Sequence, residues 1–162
     1  MTPLHLAADN GHFVVVKYIT KETKDKNPQS IDGLTPLHKA AGSGHLNIVK
    51  FLSDLVQDCN PPEMTFGSTP LHLAAQYGHF PVVKYLLDKI GVQNCPLKFD
   101  GTTIVHSAAM NGHIAIIEFL SERGFDVNPR DSLGRTPFHL AAEFGQSVVV
   151  NYFMSLKLHQ TG

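Results

Sequence analysis

Two cysteines, few charges and no long apolar run remove whole classes of function before any motif is read. Cys59 and Cys95 are too few for a disulfide framework, and each flanks a loop asparagine, on opposite sides. A bridge between adjacent loops stays open, but two free thiols in a reducing compartment are the plainer reading. Charged residues make up 17% of the chain, the formal net charge is −1, and the only dense charge run, Lys21 to Lys26, mixes both signs. Such a surface does not track phosphates, so neither nucleic acid nor an anionic membrane is an expected partner. No apolar stretch approaches the roughly 18 residues of a spanning helix, so direct membrane insertion is not expected. No signal-peptide pattern opens the chain and none of its eight asparagines begins a glycosylation sequon, which together with the thiols points to a cytoplasmic or nuclear setting. Glycine-rich phosphate loops and paired carboxylates are missing as well. A nucleophile, base and orienter assembled from Cys59 or a serine with any histidine and aspartate is no better than the next such set. Neither catalysis nor a cofactor is therefore expected.

What the chain does have is one short phrase, five times over: Thr2-Pro3-Leu4-His5, Thr35-Pro36-Leu37-His38, Thr69-Pro70-Leu71-His72, a weaker Thr103-Ile104-Val105-His106, and Thr136-Pro137-Phe138-His139. Its histidines step by 33, 34, 34 and 33 residues. Seven residues after each stands the second half of a glycine-led pair: His12, His45, His79, His113 and a degenerate Gln146. Regular self-similarity at this period means a repeat array.

Within a unit, threonine supplies the N-cap acceptor and proline occupies the first helical position, where no backbone donor is needed. Gly42 and Gly44 then stop that helix. A second helix follows, with Leu46, Ile48, Val49, Phe51 and Leu52 as its apolar face and Asn47, Lys50 and Ser53 left for water. The pairs Ala7-Ala8, Ala40-Ala41, Ala74-Ala75, Ala108-Ala109 and Ala141-Ala142 recur in register, so neighbouring first helices can approach closely. Asn27, Asn60, Asn94 and Asn128 repeat too and read as groups that fix the loops. The glycine expected at the end of the second helix stands in register only at Gly124, with Thr23, Val56 and Ile90 in the equivalent places.

These features together resemble the ankyrin repeat over essentially the whole chain. The resemblance implies an all-α repeat solenoid, a stack of helix pairs with projecting β-hairpin-like loops and a concave face that binds another protein. One repeat domain is expected over 1–162, with units at about 1–31, 32–65, 66–99, 100–132 and 133–162, as a monomeric part of a longer protein. It also implies that the histidines of the capping phrase bond the capping threonine and tie neighbouring loops together. Five of the ten histidines belong to that phrase and four to the glycine-led pairs, leaving only His159 over, so no metal site is expected.

Family geometry places Phe66, Tyr77, Phe99, Met110, Leu133, Arg135 and Phe144 on the concave face as candidate partner-binding residues. Tyr77, Met110 and Phe144 are read as equivalent positions of consecutive units, forming one apolar stripe for a protein or peptide. Asn128, with leucine eight residues before it and an acid two before, is similar to the sites of the asparaginyl hydroxylase that modifies ankyrin repeats, and Asn60 fits the same pattern. The alternative function is a regulatory or spacer segment of a larger enzyme or channel. In the first unit Val14, Val15 and Val16 form an apolar run where a terminal unit would want a polar outer face.

Overall fold

The structure is a computed structural model that describes residues 1–92 and 95–160, excepting the side chains of 157–160. Asn94 and the side chain of His159 lie outside the described residues. Each unit opens with a seven-residue helix: α1 (Pro3–Asp9), α3 (Pro36–Gly42), α5 (Pro70–Gln76), α7 (Ile104–Met110) and α9 (Pro137–Glu143). A longer partner follows each: α2 (Phe13–Glu22), α4 (Leu46–Leu55), α6 (Phe80–Ile90), α8 (Ile114–Glu122) and α10 (Ser147–Gln160). Each first helix packs on its own second helix and on the first helices of the neighbouring units, so the chain is an all-α solenoid of helix pairs. The described residues contain no strand.

The alanine pairs explain why the first helices form the tighter row. Ala8, Ala40, Ala41, Ala74, Ala75, Ala108, Ala109 and Ala141 are fully buried between them. The second helices touch less closely and fill the space with larger side chains, among them Ile48, Leu52, Leu86, Ile116 and Leu120. Ser53 is not left for water: it is buried, donates to the Lys50 carbonyl and lies 2.9 Å from the Tyr85 hydroxyl of the next unit. The end of α6 also departs from expectation. Gly91, one place beyond Ile90, caps it at φ 79, a backbone angle glycine adopts without a Cβ penalty.

At all five helix starts the threonine is extended and its Oγ1 lies 2.8 to 3.0 Å from the following histidine's Nδ1. Thr103 caps α7 in this way without a proline behind it. The backbone N–H of each threonine donates to the same Nδ1, so that nitrogen is the acceptor and the proton sits on Nε2. Nε2 then donates to the carbonyl that precedes the next unit's threonine: His5 to Leu34 at 2.8 Å, His38 to Ser68 at 3.1 Å, His106 to Arg135 at 3.0 Å. His72 is the exception, with no partner at hydrogen-bond distance on Nε2.

A second bond crosses every junction. His45, His79 and His113 donate from Nε2 to the carbonyls of Asp9, Gly42 and Gln76, the residue after the preceding unit's alanine pair. Gln146 does the same to Met110 at 3.1 Å, so the one substituted unit keeps the bond with a different side chain. The histidine rings cover the glycine at the same position of the preceding unit, His45 over Gly11, His79 over Gly44 and His113 over Gly78. A Cβ at Gly44 would stand 2.4 Å from His79 Nδ1, and Gly44 is itself at φ 76.

Candidate functional site

The loops between units are fingers, and acidic side chains shape them. Glu63 accepts the N–H groups of Thr65, Phe66 and Ser68. Asp131 accepts those of Leu133 and Arg135, and Asp100 that of Thr102. Burial pushes the Glu63 carboxyl up, but the N–H groups of Ser68, Thr65 and Phe66 outweigh it and hold the group below its usual range. Asp131 behaves alike, its burial outweighed mainly by the Arg135 N–H and guanidinium. Each finger is also bonded to its neighbour, Met64 N–H to Asp32, Phe99 N–H to Phe66 and Ser132 N–H to Asp100. The fingers therefore form one continuous bonded edge from Asp32 to Ser132. None of these acids was read as a loop-fixing group at the level of sequence, although Glu63, Asp100 and Asp131 stand six, three and five residues before the capping Thr69, Thr103 and Thr136.

Among the described asparagines of the series, loop-fixing by the side chain holds at one position. Asn60 is buried and its Oδ1 accepts the Leu71 N–H at the start of α5. At Asn27 and Asn128 the backbone N–H is the held group, accepted by Asp25 and Asp126 two residues earlier, as Asp58 accepts that of Asn60. The aspartate is thus the common fixing group. Asn128 is exposed.

Of the candidate binding residues, Phe66, Phe99 and Leu133 stand exposed on the fingers, and Tyr77 and Phe144 on the ends of α5 and α9. Tyr77 keeps 57% of its surface in water and Phe144 52%, so neither is core. Met110 does not complete their stripe. Tyr77 and Phe144 are second after their alanine pairs, whereas Met110 is first after its own, in register with Gln76 and Glu143, and is half-buried. The true equivalent in the fourth unit is Asn111, whose amide donates to the Ser107 carbonyl. Arg135 is committed within its finger: Nε donates to Asp131 at 2.8 Å, and its carbonyl accepts from His106.

Between the fingers and the first helices runs a groove. Two open hollows of about 380 and 270 Å³ share Leu34 and Leu73 as their floor, with Tyr77 at one rim and Phe66 at the other. Near the first hollow Asp9 is held by Lys39 at 3.5 Å and by the Ser43 hydroxyl at 2.7 Å, so its charge is partly neutralised. The groove offers apolar contact and backbone-scale polar partners; His38 and Ser43 also line the first hollow, the former with its Nε2 on the Ser68 carbonyl and the latter with its hydroxyl on Asp9. Both cysteines are free thiols, and burial alone pushes Cys95 up to about 11, leaving it a protonated, weakly nucleophilic group. Among the described residues, no cluster of three or more histidine, cysteine or acidic side chains is placed to hold a metal, and no helix is long and apolar enough to cross a membrane.

The family model for ankyrin repeats, built as three copies, matches residues 4–96 and again 89–161. No curated protein matches the chain.

Proposed function

Because the chain belongs to the ankyrin-repeat family, whose fold is in general a non-catalytic protein-interaction module, we propose that it binds a protein or peptide partner through the groove between fingers and first helices. The observation that carries this is the exposure of Tyr77 and Phe144 in the same register, with Phe66, Phe99 and Leu133 exposed on the finger edge opposite. Water-facing aromatic rings over an apolar floor serve as interface anchors. A mere spacer would not need them, which weighs against the spacer reading. An intracellular setting, where Cys59 and Cys95 remain reduced, belongs to the same proposal.

The test is selection from a displayed random-peptide library on the immobilised chain, followed by affinity measurement on Tyr77→Ala and Phe144→Ala. Peptides selected on the wild type are expected to lose about 2 kcal/mol of affinity on either variant, roughly thirtyfold, with melting temperature unchanged. If both variants bind as the wild type does, the groove is not the site. For hydroxylation, Asn128 is the favoured target of the two candidates. Its side chain is open to solvent, while that of Asn60 is buried and bonded to the Leu71 N–H.

A further inference from the structure

The two hollows of the groove differ in charge. The smaller, of about 270 Å³, is lined by Asp32 and Glu63, with Leu34 and Leu73 as its floor and the exposed Phe66 ring at its rim, and by no lysine, arginine or histidine. Glu63 is buried and its oxygens are taken up by the N–H groups of its own finger, so it acts as a fixed negative charge behind the wall. Asp32 is exposed, and the group by which it holds the next finger is its backbone carbonyl, which leaves the carboxylate facing the hollow. Among the described residues neither acid is in an ion pair. Lys98 interacts electrostatically with Asp100 and Glu63 but lines neither hollow.

The larger hollow, of about 380 Å³, is close to neutral. Its one acid, Asp9, is matched by Lys39 at 3.5 Å. His38, on the same lining, is uncharged at neutral pH, since burial lowers it to about 4 and its Nε2 donates to the Ser68 carbonyl. Both volumes lie near or below the lower end of the roughly 300–1,000 Å³ typical of small-molecule sites, so each is scaled to one side chain of a partner.

We propose, resting on the groove as the peptide site, that its smaller hollow takes an arginine side chain of the partner and its larger hollow a bulky neutral one. The arginine methylenes lie over Leu34 and Leu73, and the guanidinium meets the Asp32 carboxylate and the face of the Phe66 ring. Arginine fits better than lysine because its planar, weakly hydrated head pairs two-pronged with a carboxylate and stacks on a ring. An acidic side chain in the same place would face Asp32 and Glu63 with no lining cation to offset them. An apolar one would take Asp32 out of water without a partner. Charge thus selects the occupant, a basic segment of another protein, with the neighbouring neutral residue seated against Tyr77.

Peptides selected from a displayed random library on the wild-type chain, and in parallel on Asp32→Arg, test this. Arginine is expected at one position of the wild-type pool, beside a bulky neutral residue, and is expected to be lost or replaced by an acid in the Asp32→Arg pool. In a synthetic wild-type binder, changing that arginine to citrulline keeps the shape and removes the charge. Binding is expected to weaken about tenfold on the wild type and less than about threefold on Asp32→Asn. Asp32 is exposed, so both variants are expected to fold, which thermal melts check, and the citrulline comparison on the wild type needs no variant. Binders that depend on Tyr77 and Phe144 but carry no basic position, or lose nothing to citrulline, overturn the arginine assignment and leave the groove standing. Binders coupled to Asp32 yet indifferent to Tyr77→Ala and Phe144→Ala support the assignment and overturn the paired rings as anchors. A library that gives no binder, or only binders indifferent to all three positions, overturns both.

Discussion

Acid should loosen the array well before its carboxylates titrate, because its capping histidines are buried neutral. Burial, the largest cause in each case, lowers His38 from 6.5 to about 4 and His72 to about 3. His5 and His106 move in the same direction. In the unfolded chain these rings take up protons as pH falls through 6.5, while the folded chain does not follow until about 4 or below. The unfolded state therefore binds more protons across that window, and stability falls with pH. Each unit of pH below 6.5 removes about 1.4 kcal/mol per ring, so His38 and His72 together cost about 4 kcal/mol by pH 5. That is a large part of a typical domain stability of roughly 5–15 kcal/mol. Glu63, Asp100 and Asp131 have lowered values in the folded state, so what they contribute is fully present at pH 5 and is lost only as pH falls below about 4.5. Urea unfolding followed by circular dichroism between pH 7 and pH 5 measures the effect, and His72→Gln should flatten the dependence by removing one of the two rings. A wild-type urea midpoint that does not move over this range would refute the buried neutral-histidine argument.

Ala75 and Ala109 are fully buried between first helices, so replacing either by leucine should cost about 1 to 3 kcal/mol by overpacking, read as a fall in melting temperature. Thr69→Ala should cost about 1 kcal/mol, and adding His72→Ala should be less than additive, because the two side chains share one bond at 3.0 Å; a double-mutant cycle measures the coupling. Gly44→Ala should destabilise by more than about 1 kcal/mol, since the residue combines φ 76 with the His79 ring 2.4 Å from the new methyl, while Gly145→Ala has open space and carries only the backbone cost; paired melts compare them. An asparaginyl hydroxylase acting on the folded chain should add oxygen at Asn128 and leave Asn60 unmodified, as resolved by peptide mass spectrometry.

The helix pairs were legible because their signals are local. Threonine followed by proline, a pair of alanines and a glycine turn each act within one turn of chain, and the repeat supplies four readings of the first and five of the others. The site was less so. Arg135 and Met110 read as surface from their offsets, yet one is drawn into its finger by Asp131 and the other is half-buried at the position whose carbonyl Gln146 reaches. The Arg135 outcome depends on a loop acid whose position the repeat phrase does not announce, whereas the place of Met110, one residue short of the register of Tyr77 and Phe144, was legible in the sequence. Ser53 was misplaced because its partner Tyr85 lies in the following unit. Gln146 taught the converse: a break in the consensus can leave the bond intact when the replacement amide reaches the same carbonyl.

Binding, where it occurs, must rest on positions at which the units differ, because the shared ones are already spent on stacking. The threonines, capping histidines and alanine pairs are buried or bonded within the stack at nearly every unit. By contrast the second residue after the alanine pair is Asn10, Ser43, Tyr77, Asn111 and Phe144 in turn, free to vary since its backbone closes the helix whatever side chain it carries. Asn10 and Asn111 turn back onto their own helices and Ser43 onto Asp9, which leaves the two aromatic rings as the outward-facing members of the row. Two rings separated by one polar unit make a discontinuous anchor, so a partner that engages both must span the fourth unit, where Asn111 and the exposed Phe99 of its finger are what it meets. Exchanging Asn111 for tyrosine would close that gap, and it is the substitution expected to tighten binding of a partner that already depends on Tyr77 and Phe144. If affinity falls instead, the partner uses the Asn111 amide or needs the space above it, and the two rings act as separate sites.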